Sequence, residues 1–488
     1  MNQNQLDKDA GELRKLGYAQ ELFRDMGGFS SFAVSFSVIS ILTGATQLYG
    51  YGLQHGGPFQ MTVGWWVVSF FTMTVALAMA ELASSYPTAG ALYHWSSFLG
   101  GRGLGWFTAC FNTIGQFAIL AGIDYGLAQF LTGLFGWPTT MTFTMGLYGL
   151  LLLSHAMLNH IGIRVVSWLN DFSAWYHIIV VALIIGVLMH KGFAQPPSFL
   201  LKFNSTDGFN PKYTFIVGLL LAQWTLTGYD ASAHTSEETV DPRRRAPWGI
   251  FLAVLLSVIT GFAMLAAITL SIPDLAQATG FGDNALIEIF KLRLGSMGST
   301  MIGLIAGAMW LCGCAAMTSA SRMVYAFARD GGLPFSKTWA RVSPKFRTPS
   351  NAIWGLAVLA LVLGVSVKVY SAVVSIATIA LYISYGLPIV ARLYTRWQGR
   401  EDVRGPWHLG RFSNFNAIIA VTWILFIVVD FVLPPNDQAL SIMAGCTAFL
   451  FITWFAIERR RFKGPRFHLH GTAGKPIAEN LVLEGTVI

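Results

Sequence analysis

The chain has 488 residues, 54% of them hydrophobic and 11% charged, with a net charge of +8 and a mean hydropathy of +0.55. About 25% of the residues of a soluble globular protein are charged, so this composition cannot cover a water-facing surface and excludes that class. The apolar stretches are long and aromatic-rich, which fits membrane helices rather than the alternating ~10-residue strands of an outer-membrane barrel.

Residues 1–28 are polar and of mixed charge and lack the apolar core of a signal peptide; they are expected to stay in the cytoplasm as an N-terminal tail. From 29 to 458 hydropathy predicts one transmembrane domain of twelve helices, at about 30–49, 62–85, 104–134, 139–159, 164–190, 213–236, 247–271, 297–328, 350–367, 370–394, 412–433 and 438–457. Most reach the ~20 residues that cross the hydrocarbon. Lys368 and Tyr370 mark a short turn between the ninth and tenth. The 191–212 segment, with Pro196-Pro197, reads as a surface loop, and 272–296 as the place for a short amphipathic helix. Residues 459–488 form a second cytoplasmic tail, opened by Arg459-Arg460-Arg461, a cluster suited to anionic headgroups.

The basic residues test this count. With the N-terminus inside, the clusters around Lys8–Arg24, Arg243–Arg245, Arg322–Arg347, Arg392–Arg411 and Arg459–Lys475 fall on the cytoplasmic side. Only Lys191, Lys202, Lys212, Lys291, Arg293 and Lys368 fall outside. This is the positive-inside pattern and not a nucleic-acid footprint. Both termini are expected in the cytoplasm and the protein in a cell membrane, plasma or inner. Cys110, Cys312, Cys314 and Cys446 all lie in apolar surroundings and form neither a disulfide framework nor a zinc spacing.

One tripeptide occurs twice at membrane depth: Leu42-Thr43-Gly44 in the first span and Leu226-Thr227-Gly228 in the sixth. Glycine beside a hydroxyl residue weakens a helix where lipid offers no other hydrogen-bond partners, so an unwound backbone must line a protein-enclosed cavity. Two such interruptions at matching places point to a transporter's substrate site.

Four further segments carry a family resemblance. Ser319-Ala320-Ser321-Arg322 through Ala328-Arg329-Asp330-Gly331-Gly332-Leu333-Pro334 resembles the "SR…yA.aRDG.LP" signature that ends the eighth helix of amino acid–polyamine–organocation permeases. Glu81-Leu82 through Pro87-Thr88-Ala89-Gly90-Ala91-Leu92-Tyr93 resembles their "aEL…P.aGg.Y". Gly228-Tyr229-Asp230 with Glu237-Glu238 and Asp241-Pro242 resembles their "Gf(D/E)…eE…P", and Gly56-Gly57-Pro58 their glycine-rich turn. The wording of the sixth span is similar to the amino acid/choline transporter branch. The resemblance implies a LeuT-type 5+5 inverted repeat, with repeats at about 29–190 and 213–394, helices 1 and 6 broken, and helices 11–12 at about 412–457.

Broken helices expose amide N–H groups at one half-helix end and carbonyls at the other, which suits a zwitterion. Ser40, Thr43, Gly44, Ala45 and Thr46 are placed at the first break and Thr227, Gly228, Tyr229 and Asp230 at the second. Many family members carry Gly-X-Gly where this chain has Leu42-Thr43-Gly44. Asp230 either attracts a substrate amine or fixes the broken helix through local hydrogen bonds. Asn112 and Gln116, one turn apart, either bond substrate or join helices. Trp224, Tyr229, Trp310 and Tyr125 offer ring faces to an amine or simply pack. His177 stands where proton-coupled relatives carry a lysine; it is either an ion-coupling residue or a hydrogen-bonded core histidine. Thr318 and Ser321 are placed facing it. Asp124 and Asp171 are expected to be wet, and Glu237 and Glu238 to form a latch or an ordinary salt bridge with Arg243–Arg245.

The reading is a secondary active transporter, not an enzyme, that imports a small amino acid or amine by proton symport with alternating access. Sodium is the other candidate ion and obligatory exchange the other mode. No metal or organic cofactor is expected, the partners are the substrate and the lipid bilayer, and a monomer is expected to suffice. No His-Glu-X-X-His, paired intramembrane aspartates or nucleophile elbow is present, and twelve dissimilar helices supply no channel filter.

Overall fold

The computed structural model describes residues 3–366, 370–400 and 403–465; the turn expected at Lys368 and the tail beyond 465 lie outside them. Among the described residues the chain is helical apart from loops and one two-residue strand pair. Helix α1 (Gln3–Lys15) is polar, yet its Asp9 and Leu13 are buried, so the expected tail begins as a packed helix. Next come α2 (Gly28–Ile39), α3 (Ile41–Gln47), α4 (Tyr49–Gln54), strand β1 (His55–Gly56) and α5 (Trp65–Ser85). Pro87 has no amide N–H and forces the chain out of α5. Then α6 (Leu92–Gly100), α7 (Arg102–Phe135), α8 (Met141–Ile161) and α9 (Ile163–His190) follow.

Strand β2 (Asn204–Ser205) pairs antiparallel with β1, His55 opposite Ser205, and ties the 191–212 loop to the first loop. The expected sixth span is three pieces: α10 (Pro211–Gly218), α11 (Leu220–Thr225) and α12 (Ala231–His234). Asn210 caps α10 and Pro211 opens it, as the free N–H groups of a first turn require. The rest is α13 (Pro242–Leu270), α14 (Leu275–Gly280), α15 (Ala285–Leu294), α16 (Ser296–Arg329), α17 (Ser336–Trp339), α18 (Ser350–Ser366), α19 (Tyr370–Trp397), α20 (Ser413–Asp430) and α21 (Asp437–Thr453).

Among the described residues ten helices are long and apolar enough to cross a membrane, counting α2 with α3 as one. The two other expected spans are the divided α10–α12 and the shorter α18. Burial sorts the helices into layers: 83% of the apolar window of α2–α3 and of α19 is buried, against 11% of α21. The interrupted helices therefore form the centre, packed among α5, α7, α13, α16 and α19. The outer helices present Leu150, Trp168, Ile179, Leu425 and Ile452 outward, apolar surface that only lipid can accept.

Candidate substrate site

The two interruptions differ in kind. In the first, Ser40 alone leaves the helix, at φ 33° and ψ 83°, a left-handed conformation that costs a non-glycine residue about 1–2 kcal/mol and persists where surrounding contacts fix it. The helix restarts at once: the Thr43 and Gly44 amides donate to the Ser40 carbonyl at 2.8 and 3.0 Å. Thr43, Gly44, Ala45 and Thr46 are thus inside α3, and the break expected at Thr43–Gly44 lies at Ser40 instead. Gly44 serves close approach: a Cβ there would sit 2.6 Å from Thr225 Cα. In the second interruption, Leu226 to Tyr229 are unwound between α11 and α12. Gly228 has φ 98°, and a Cβ on it would collide with Val38.

The interruptions cross and satisfy one another. Ser35 Oγ of α2 donates to the Tyr229 carbonyl at 2.8 Å and accepts from the Ser232 amide at 2.9 Å. Thr227 Oγ1 bonds back to the Gln223 carbonyl at 2.5 Å and Thr46 Oγ1 to that of Leu42 at 2.6 Å, so neither hydroxyl is turned to a ligand. Trp224 is buried against Gly122 of α7.

At the first interruption a hydroxyl chain leads to α9. Thr43 Oγ1 and Ser40 Oγ are 2.6 Å apart, and Ser40 Oγ is 2.7 Å from His177 Nε2. His177 Nδ1 is 2.7 Å from the Ser173 carbonyl. That carbonyl can only accept, so Nδ1 carries the hydrogen, and Nε2 meets the Ser40 hydroxyl, which leaves both ring nitrogens bonded. The eighth-span residue that reaches this place is Cys312, whose Sγ donates to the Val38 carbonyl at 3.3 Å. Thr318 instead donates to Asn159 Oδ1 at 2.8 Å, and Ser321 to the Thr318 carbonyl at 3.0 Å. Their expected place opposite His177 is therefore taken by Ser40 and Cys312, because α16 turns Thr318 toward α8.

At the second, four side chains surround the fully buried Asp230. Tyr385 donates to Oδ1 at 2.8 Å; Gln116 and Asn112 donate to Oδ2 at 3.1 and 3.4 Å; His234 Nε2 is 3.2 Å from Oδ2. Three of these groups donate outright and His234 adds a fourth contact whose donor depends on where the proton lies, so protein groups surround both oxygens. The rings of Tyr229 and Tyr382 lie 5.3 and 5.2 Å from that of Tyr385. Tyr385 and His234 escaped the sequence reading. His234 was signalled by its i,i+4 spacing from Asp230; nothing local marked Tyr385.

A cavity of 370 Å³ lined by Thr46, Gln47, Tyr125, Gln129, Asp283 and Tyr370, among others, opens beside the end of α3; Tyr370 donates to Gln47 Oε1 at 2.6 Å on its wall. The opposite face, which carries α1 and residues 459–465, is sealed. Arg322 pairs bidentately with Glu238 (3.0 and 3.1 Å) and Arg329 with Glu237 (2.8 and 3.0 Å), all four side chains buried. The latch partners are thus two arginines on one face of α16, not Arg243–Arg245, which are nearer in sequence but start α13. Tyr18 closes the same face, donating to Asp330 Oδ2 at 2.7 Å beneath the Arg329 guanidinium, 4.2 Å from its ring. Burial opposes ionisation of Glu237, but Arg329 and the Ala89 amide outweigh it and hold its carboxyl below the usual range. Burial likewise opposes ionisation of Asp330; His94, then Arg329 and Tyr18, hold it low. Asp124, expected wet, is buried against His155 Nδ1 at 3.0 Å because it sits mid-helix in α7; Asp171 is half-buried and accepts from Ser30 at 3.0 Å.

Comparison with known proteins decides what this architecture is. The amino acid permease family's sequence model matches residues 26–457. The chain belongs to that family. The permease is 36% identical to the "Amino-acid permease BAT1" of Arabidopsis thaliana, over 94% of its own length and 96% of the relative's. It is 38% identical to the BAT1 homolog of Oryza sativa subsp. japonica, over 95% and 97%. It is 29% identical to the "GABA-specific permease" of Saccharomyces cerevisiae, over 90% and 80%. The permease is thus a multi-pass membrane transporter of the amino acid–polyamine–organocation superfamily and not an enzyme. Its match begins at Met26, where a backbone bridge to Thr239 joins the N-terminal segment to the latch.

Proposed function

We propose that the permease is a secondary active transporter that imports a small amino acid or amine together with a proton. The observation that carries the reading is the crossing of two interrupted helices at the buried centre, with a cavity toward one face and a charged latch on the other. Such crossings at membrane depth are where transporters hold substrate, and the one-sided seal is what alternating access needs. We take the interruptions to fall in the first helix of each of two five-helix repeats, 29–190 and 213–394, in a LeuT-type arrangement completed to twelve helices by 412–457. The latch face, with both termini, is then cytoplasmic, the membrane is the plasma or inner membrane, and one copy carries out transport.

The substrate carboxylate would meet the first amides of α3, before Thr43, and the unwound backbone at Gly228, since the Thr43, Gly44 and Thr227 amides already donate to Ser40 and Trp224 carbonyls. The amine would meet carbonyls there and the rings of Tyr229 and Trp224, since the Asp230 oxygens are occupied. Ser40 and His177 would sense the ion; Thr318 and Ser321 would support the ion path from α16. The relatives named for amino acids and for 4-aminobutyrate support a solute of this size and charge. One proton driven by 100 mV gains ~2.3 kcal/mol, enough for roughly fortyfold accumulation at ~1.4 kcal/mol per tenfold.

Thermal-shift screening against amino acids and amines should find a stabilising solute, since a ligand at a hundredfold excess over Kd adds ~2.7 kcal/mol. Proteoliposomes should then accumulate it under an imposed proton gradient. Uptake that requires sodium, or only a preloaded solute, would overturn proton symport in favour of sodium coupling or obligatory exchange.

A further inference from the structure

We infer that the transported proton is held jointly by His234 and Asp230, and that the main chain on either side of Ala89 links it to the latch; this rests on the proton-symport reading above. His234 is fully buried. Its Nδ1 lies 3.0 Å from the Ala89 carbonyl and its Nε2 3.2 Å from Asp230 Oδ2. The carbonyl only accepts, so Nδ1 carries a hydrogen. A neutral ring would then turn the Nε2 lone pair toward a carboxylate oxygen. The contact closes only with one more proton between Nε2 and Oδ2, on the imidazolium or on the carboxylic acid.

Other buried histidines do not need it. His177 has a carbonyl on one nitrogen and the Ser40 hydroxyl on the other. His94 meets Asp330 with Nε2 and the Thr88 hydroxyl with Nδ1. His155 gives Nδ1–H to Asp124, and its Nε2 has no partner. His55 gives Nδ1–H to the Tyr51 carbonyl, and Asp207 is 3.8 Å off, beyond hydrogen-bond reach. Around the Asp230–His234 pair, α7 presents neutral Asn112 and Gln116, α19 presents Tyr385 with the Tyr229 ring tilted against it, α2 presents Ser35, and α13 meets Ser232 with Gly249. The charges of α16 and of the segment after α12 are already spent in Arg322–Glu238 and Arg329–Glu237, and His94 faces Asp330 beyond Thr88.

The N–H of Ala89, in the peptide group before its carbonyl, donates to Glu237 Oε1 at 3.1 Å, the carboxylate pinned by Arg329. Two successive peptide groups joined at the Ala89 Cα thus touch the proton store on one side and the latch on the other. Loading forms one N–H or O–H bond with a proton from the solution on the side of the cavity beside α3, the vestibule. Release to water on the latch side breaks that bond, leaves two lone pairs opposed, and disfavours the seating of α12 on Ala89. The latch-closed conformation and the proton therefore stabilise each other, which is the reciprocity coupling requires.

The test uses proteoliposomes with a pH dye inside and radiolabelled 4-aminobutyrate, or the strongest stabiliser from the thermal-shift panel if that solute gives no shift. Wild type should acidify the lumen as solute enters, and His234→Gln should lower the protons moved per solute by about tenfold or more. An unchanged ratio overturns the assignment. A wild type that moves solute without protons overturns the symport reading itself, and is seen before any variant is made. Asp230→Asn takes away the other half of the pair and should lower the protons moved per solute by a similar factor; an unchanged ratio overturns the assignment even where His234→Gln does not fold.

Discussion

On the latch face, Arg322, Glu238, Arg329 and Glu237 are buried as two bidentate ion pairs, whereas beside the open cavity of the vestibule face Tyr370 and Gln47 meet through a hydrogen bond between neutral groups. A desolvated ion pair is stable only while both partners stay in place, and separating it exposes an uncompensated charge. A single hydrogen bond between neutral groups nets about 1 kcal/mol. Under the alternating access proposed above, the ion-paired face would therefore open all-or-none and the cavity face piecewise.

The contrast is broken most directly by Glu237→Gln. Removing one partner of a buried pair costs about 3–5 kcal/mol, so thermal stability should fall sharply and cysteines placed on the latch face should label faster. Glu237→Gln combined with Arg329→Met should recover much of the loss. Gly44→Ala comes next. Its Cβ would press on the Thr225 backbone at 2.6 Å, and overpacking of this kind costs about 1–3 kcal/mol; initial uptake should fall more than tenfold at equal membrane abundance. A glycine needed only for unwinding would tolerate the change, since α3 is helical there. Tyr370→Phe should cost about 1 kcal/mol and speed labelling of the vestibule face without altering the latch face. The smallest effect is expected from pH. Glu237 and Asp330 are held below their ordinary values of 4.5 and 3.8. Their stabilisation is complete above those values and lost only as pH falls through the depressed ones. In the His234→Gln variant, where the inferred proton store is absent, latch-face labelling should thus be flat between about pH 5 and 8, and a slope there would show that the latch carboxylates titrate.

Much of this was legible in the chain because lipid leaves few choices. The ten long helices stand within a few residues of the expected spans, since an apolar run of the right length has one way to satisfy its backbone. The pairing of side chains was less legible. Arg243–Arg245 are near Glu237 in sequence, but Arg322 and Arg329, two turns apart on α16, are near it in space. Gly44 could mean an unwound helix or a close neighbour, and only the position of Thr225 decides. Gly228 carried a clearer signal, with Thr227 before it and Asp230 ending the gap. Asp124 looked peripheral because a 34-residue helix extends well past its apolar centre.

Position 89 holds a residue whose side chain is a methyl group, while its carbonyl meets His234 and its N–H meets Glu237. A link made of main chain cannot be erased by trimming a side chain. An alanine scan would pass over the site without a mark, and only proline, which lacks the N–H, would cut the wire.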